Sequence, residues 1–323
     1  MHPNRQMPEA RPAVGALIPN YGNGSATISS LELMRLDPDA LTGRLVDLFR
    51  SPGYQPPVLP AAASQIMKLS TDPLVECKAL VEVLGTDPLL MGRVTTTAQS
   101  PVYAGGHSGV RTLQEAVRRL GIRGLRNIVI EAAMSLRVFR TPAYTECMET
   151  VRRHSLVVAH LSHLVARAVR VDPNEAFLAG LMHDVGLAGG LLVLADGKRK
   201  EDAPALGRYW PSVDRAHPIG GAAMVRLWGL PEELVASTLA HHEPHGLNGF
   251  DPLSACVCVA EHMASLLGAR VQYDFTIGAP PPRTPVDTTP PAQLIAARNG
   301  LKLTPPRLDA LLESARELYP LIG

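Results

Sequence analysis

Apolar residues recur at three- and four-residue spacings along most of this chain, from about residue 41 to residue 267. No stretch shows the apolar–polar alternation of a half-buried strand, so the pattern predicts an all-α protein. Asp37-Pro38-Asp39 opens a short helix whose apolar positions are Leu41, Leu45, Val46, Leu48 and Phe49, and Ser51-Pro52-Gly53 stops it. Pro60 leads a helix over 61–69. Asp72-Pro73 and Asp87-Pro88 open two more. In both, Asp can accept free N–H groups while Pro takes the first helical position, where no N–H is needed. Helices over 113–120 and 124–138 flank a break at Gly121. A long helix over 146–168 carries His154 on the same stripe as Val158, Leu161 and Val165; at about 100° per residue, His160 and His163 fall off that stripe, toward water. Asp172-Pro173 opens a helix that runs through Phe177 and Leu181 into His183-Asp184. Others run from His217 to Trp228-Gly229 and from Pro231 through Val235 and Leu239 to His242. The next, over 253–267, bears Glu261, and a last helix covers about 306–319.

Punctuation divides the chain into three zones. Residues 1–53 are a leader, rich in Pro, Gly, Asn and Ser and expected to be disordered, followed by the short helix. Residues 54–268 form the main domain, an N-terminal helical half (54–145) and a histidine-bearing half (146–268). Residues 269–323 are a stiff Pro-rich linker, with Pro280, Pro281, Pro282, Pro285, Pro290 and Pro291, and a C-terminal helix.

Composition narrows the function classes. The 323 residues are 46% hydrophobic with only 4% aromatic, which predicts an aliphatic core in one large or two modest domains. A net charge of +1 gives no clear footprint for nucleic acid. Arg118, Arg119, Arg123 and Arg126 form a local basic cluster that a solvated helix face explains. No apolar run is read as reaching the length of a membrane span, and residues 1–30 lack the apolar core of a signal peptide, so no membrane is expected. Cys77, Cys147, Cys256 and Cys258 contain no Cys-x-x-Cys pair. Cys256 and Cys258 read as core thiols, and a cytoplasmic home is expected.

The chemistry-bearing stretch is Ala179-Gly180-Leu181-Met182-His183-Asp184-Val185-Gly186. Neutral imidazole and carboxylate are ordinary ligands of zinc, iron or manganese. Taken alone, the pair also reads as a polar helix end, with Asp184 capping, His183 hydrogen-bonded to backbone and Gly186 ending the helix. The wider set decides. His154, His183, Asp184, His217, His241 and His242 each lie on or at the end of an expected helix. Buried singly in an aliphatic core, each would need its own hydrogen-bond partner. A shared di-metal centre of iron, manganese or zinc satisfies them together, and Asp184 could bridge two ions. Metal binding needs neutral imidazole, so affinity should fall below about pH 6.5.

The order His, His-Asp, His, His-His resembles the HD superfamily of metal-dependent phosphohydrolases, most closely its HD-GYP branch. Over about 54–268 the chain is more similar to the related HDOD family of signalling output domains. Val58-Leu59-Pro60, Thr86-Asp87-Pro88-Leu89, Gln99-Ser100-Pro101-Val102-Tyr103, the run Ala116 to Gly121, and Trp228-Gly229-Leu230-Pro231 carry that likeness. The resemblance implies an HD-type helical bundle with an N-terminal helical subdomain. It also implies Glu261 as a last metal ligand, where HD-GYP proteins have aspartate. Leu187 stands where those enzymes have lysine, and Gly249-Phe250-Asp251 where they have Gly-Tyr-Pro. The departures favour a non-catalytic signal-transduction module that binds a signalling protein or a nucleotide and retains a metal centre. The retained ligands favour a metal-dependent phosphodiesterase or phosphohydrolase acting on a nucleotide or cyclic dinucleotide. A metal-free scaffold with hydrogen-bonded histidines is the third reading.

Overall fold

The computed structural model describes residues 35–70, 72, 74–100, 112–196, 203–245, 249–269, 271 and 292–322. The 1–30 leader, most of the Pro-rich linker and the Pro101-Val102-Tyr103 part of one motif lie outside them. Among the described residues the protein is helical and contains no strand. Helices α1 (Pro38–Arg50), α2 (Ala61–Leu69), α3 (Cys77–Gly85), α4 (Pro88–Gln99) and α5 (Leu113–Ala133) come first. A π-helical turn, Met134–Val138, extends α5. Then come α6 (Thr145–Val169), α7 (Pro173–Met182), α8 (Val185–Ala195), α9 (Leu206–Leu227), α10 (Glu232–Ala240) and α11 (Pro252–Leu266). The last two are α12 (Ala292–Gly300) and α13 (Pro305–Leu318).

Several starts follow the expected chemistry. Asp37 accepts from the N–H groups of Asp39 and Ala40, Asp87 from those of Leu89 and Leu90, and Asp172 from those of Asn174 and Glu175. Each is followed by Pro at the first helical position. Gly121 breaks α5 with φ +67°, a conformation that favours glycine. Other expectations need correction. The helix near residue 72 starts at Cys77, after a turn in which Asp72 accepts from Leu74 N–H. α9 begins at Leu206, well before His217, with Pro211 and Pro218 inside it. Residues 292–300, read as the approach to one last helix, form α12, which packs on α11. Stretch 173–195 is long and apolar enough to span a membrane by length and composition, contrary to the sequence reading. It is 89% buried within the protein, as α7 and α8.

The histidine-bearing half is built from tight pairs: α6 on α7, α8 on α9, and α11 on α6. α1, grouped by sequence with the leader, belongs to this core instead. It buries Leu41, Leu45, Leu48 and Phe49 and lies along α9. Ser212 Oγ donates to the Pro38 carbonyl at 2.7 Å, and Arg215 pairs with Asp39 at 2.7 Å. The expected basic cluster is partly consumed as well. Arg126 is buried against Glu175 at 2.7 Å and Arg123 pairs with Asp172, tying α5 to the start of α7. His160 and His163 do not face water. His160 is buried edge-on against Phe177, and His163 is half-buried, its Nδ1–H donating to the Pro173 carbonyl at 3.1 Å.

Gly186 sets the spacing between α8 and α9. A Cβ there would lie 1.9 Å from the His217 carbonyl oxygen and 2.5 Å from Gly221 N. Those are backbone atoms and cannot swing aside. Gly186→Ala should therefore destabilise the protein by about 1–3 kcal/mol, as overpacking does, read as a lower midpoint in chemical denaturation. An unchanged midpoint would show that the two helices separate freely.

Candidate metal centre

The site is made by histidines at helix ends and at one helix defect. His183 is the C-cap of α7 and donates its Nδ1–H to the Gly180 carbonyl at 2.7 Å; His241 is the C-cap of α10 and donates likewise to Thr238 at 2.8 Å. The last carbonyls of a helix lack an intrahelical partner, so a C-cap side chain can satisfy one. His217 uses a different vacancy. Pro218 has no N–H to give the carbonyl four residues back, and His217 Nδ1–H donates to that carbonyl, of Asp214. His154, midway along α6, donates Nδ1–H to the Ala269 carbonyl just after α11, at 2.7 Å.

A carbonyl can only accept, so all four Nδ1 atoms carry the proton of the neutral ring. Each Nε2 is then a lone pair. These lone pairs meet. His154 Nε2 and His183 Nε2 are 3.3 Å apart, and His217 Nε2 and His241 Nε2 are 3.1 Å apart. Asp184 lies between the two pairs. Its Oδ2 is 3.2 Å from His183 Nε2 and 3.6 Å from His154 Nε2; its Oδ1 is 3.3 Å from His217 Nε2 and 3.7 Å from His241 Nε2. His242 Nε2 approaches His217 Nε2 at 3.3 Å from the exposed edge, and Glu261 Oε1 is 3.7 Å from His183 Nε2. All seven sequence candidates thus stand in one place. Six of them fall into two clusters that could hold metal, His154/His183/Asp184 and His217/His241/His242, and Glu261 stands beside the first.

A buried cluster of acceptors is unfavourable without a cation or proton among them. Ligands about 2.1 Å from a common ion stand roughly 3.0–3.4 Å apart, close to the spacings observed. The residues present therefore fit a metal. Asp184 does not cap α8 with its side chain and Gly186 lies inside that helix, so the helix-end reading fails for these two, while it holds for His183, which ends α7 and bonds a backbone carbonyl.

Without an ion, the cluster redistributes protons. Burial pulls His183 down, but Asp184, helped by Glu261, outweighs it and lifts the imidazole to about 9. Burial alone would raise Asp184; the histidines, His183 first, hold its carboxyl well below the usual range. His241 is held well below its ordinary value by burial and then by His242 and His217. Burial and His217 push His242 down to about 4. A single proton on His183 relieves one pair. The acceptors His217 Nε2, His241 Nε2 and Asp184 Oδ1 are left facing one another.

Sequence reasoning missed the supporting parts. Ala269 supplies a carbonyl from outside the helices. Pro218 frees another, and its position after His217 was a readable signal. Leu187, where the resemblance would put lysine, is 2% exposed and packs into the core. Asp251 accepts from Leu253 and Ser254 N–H at the start of α11, while Phe250 packs on Gly300 of α12.

An all-helical bundle enclosing His/Asp clusters that could hold metal defines the class of protein. The HDOD domain model matches residues 57–244, and the chain belongs to that family. Among solved structures it is similar to an HDOD domain protein of unknown function from Geobacter sulfurreducens, with TM-score 0.62 and 23% identity over 89% of this chain and 99% of that one. A Shewanella amazonensis protein provisionally described as a metal-dependent phosphohydrolase gives TM-score 0.66 at 18% identity, over 88% of this chain and 99% of that one. Likeness at these identities shows the fold. Ribonuclease Y of Opitutus terrae is 33% identical over 136 residues, 42% of this chain and 21% of that protein. An uncharacterised Treponema pallidum protein is 22% identical over 226 residues, 68% of this chain and 44% of that protein. The chain spans less than half the length of these curated relatives.

The His183 proton gives a pH signature. Below about pH 9 a metal must displace it. Apparent Mn²⁺ affinity should therefore rise by up to about tenfold per pH unit across pH 6 to 8.5, beyond the 6.5 expected of an unperturbed imidazole. Calorimetric titration at several pH values checks this. A plateau from pH 7 upward would contradict it.

Proposed function

We propose that this chain is an HDOD-type signal-transduction module built around a di-metal centre that stabilises and conditions the bundle rather than turning over substrate. The facing lone pairs at 3.1–3.3 Å carry the metal part of this reading. His154, His183, Asp184 and Glu261 would hold one ion, and His217, His241, His242 and Asp184 the other. The non-catalytic part rests on family membership and on Leu187, an apolar buried side chain where the resemblance would put lysine. The output would pass to a signalling protein or a nucleotide through the helical surface.

A second reading, a phosphodiesterase or phosphohydrolase acting on a nucleotide or cyclic dinucleotide, is favoured by one observation. His242 and part of Glu261 are open to solvent beside otherwise buried ligands, so a phosphate could reach the centre. Bound metal would supply Lewis acidity there. This chain's residues would orient it: Asp184 by offering one oxygen to each cluster, and the helix-end histidines by their fixed tautomers.

One set of measurements separates the two. Mn²⁺ or Fe²⁺ at a hundredfold excess over Kd should stabilise the wild type by about 2.7 kcal/mol, a Tm rise of roughly 5–10 °C. Asp184→Ala should lose that rise. No hydrolysis of bis(p-nitrophenyl) phosphate or a cyclic dinucleotide should accompany it. Metal-dependent hydrolysis that disappears in Asp184→Ala would replace the module reading with the enzyme.

A further inference from the structure

Three of the four buried histidines of the metal centre take their second partner from their own helix. His183, His217 and His241 each donate Nδ1–H to the carbonyl three residues back, those of Gly180, Asp214 and Thr238. His154 does not. Its Nδ1–H goes 2.7 Å to the carbonyl of Ala269, 115 residues further along the chain. Which ring nitrogen carries the proton is set by the bond the other ring nitrogen makes. The free lone pair on His154 Nε2, which faces His183 Nε2 at 3.3 Å, therefore depends on how the chain leaves α11.

That exit is a complete helix closure. α11 ends at Leu266, Leu267 caps it, and Gly268 follows with φ +76°. Gly268 N–H donates to the Ser265 carbonyl at 3.1 Å, and Ala269 N–H to the Ala264 carbonyl at 2.9 Å. These are the two bonds of a Schellman motif, which needs a left-handed residue at the position of Gly268. The second bond ties Ala269 to α11 by its N–H, while its carbonyl reaches α6, which packs along α11. A residue that refuses the left-handed conformation would redirect the chain at Ala269 and take the acceptor away from His154. Space does not select glycine here, because a Cβ on Gly268 would meet nothing within 4 Å. The backbone angle does.

We propose that Gly268 is a positioning residue for the metal ligand His154. It acts through the Ala269 carbonyl, which fixes the tautomer that leaves His154 Nε2 free for an ion. Its reach is one-sided. α11 gives the His154/His183/Asp184 cluster both the turn that holds His154 and Glu261, 3.7 Å from His183 Nε2. The second partners of His217 and His241 lie instead on α9 and α10. A change at Gly268 should thus disturb the first ion position and spare the second. The ion positions rest on the di-metal reading; the state of the His154 ring does not.

The test uses the full chain with ¹⁵N-labelled histidine and two substitutions. Gly268→Val puts a β-branched residue at a positive φ, which such residues avoid, whereas Gly268→Asn keeps that conformation accessible. With metal removed by EDTA, imidazole ¹⁵N shifts report which ring nitrogen carries hydrogen. Wild type and Gly268→Asn should hold the His154 proton on Nδ1. Gly268→Val should lose that state at His154 and leave His183 and His241 unchanged, which also shows that the fold persists. In calorimetric titration with Mn²⁺, Gly268→Val should weaken one of two ions about tenfold or more, as loss of a ligand's outer partner does, and spare the other. Gly268→Asn should bind both as the wild type does. The proposal is overturned if Gly268→Val leaves the His154 proton in place, if it disturbs all the histidines alike, if it weakens both ions equally, or if Gly268→Asn behaves as Gly268→Val does. Wild type that binds no Mn²⁺ would sink the di-metal reading, and the histidine spectra alone would then decide the role of Gly268.

Discussion

Four imidazole nitrogens and both oxygens of Asp184 converge in the core of this bundle with their protons already committed elsewhere. Every Nδ1–H among the four buried histidines of this site goes to a backbone carbonyl. What remains is a set of lone pairs at 3.1–3.7 Å, in a place where water cannot dilute their repulsion. One proton on His183 offsets part of it. Two cations, one on each side of Asp184, would offset the rest. The rest of the fold serves to hold these groups where they would otherwise not stay.

The helices do so through their ends. α7 and α10 each stop at a histidine, so the carbonyls that termination leaves open become the second partners that fix the rings. α9 does the same from its interior, because Pro218 opens a carbonyl beside His217. Gly186 lets α8 lie directly on that part of α9, which brings Asp184 level with His217 and His241. α1 closes the outer face of α9 with Leu41 and Leu45. Local sequence, helix termination and packing thus act on the same few atoms.

Much of this was legible in the chain. Helical periodicity, Asp-Pro starts and the order of His and Asp residues pointed to the all-helical class and to a common site, because those signals are local or depend only on which face of a helix is apolar. Other parts depended on contacts across the chain. α1 looked like part of the leader because its partner, α9, is about 170 residues away. His160 and His163 looked solvent-facing because a single stripe was assumed for α6, whereas α7 and α11 cover α6 on more than one side. The start of α9 lies earlier than the sequence suggested, because Pro211 and Pro218 are both accommodated inside this helix. The Ala269 carbonyl carries no side-chain signal at all.

The facing lone pairs are proposed to hold metal. The most direct measurement is the metal content of tag-free protein, by inductively coupled plasma mass spectrometry after growth with added iron and manganese. Up to two ions per chain are expected in the wild type, with a large loss in Asp184→Ala and no loss in His163→Ala, whose ring bonds the Pro173 carbonyl and joins neither cluster. Protein that folds with no stoichiometric metal, or keeps its metal in Asp184→Ala, would contradict it.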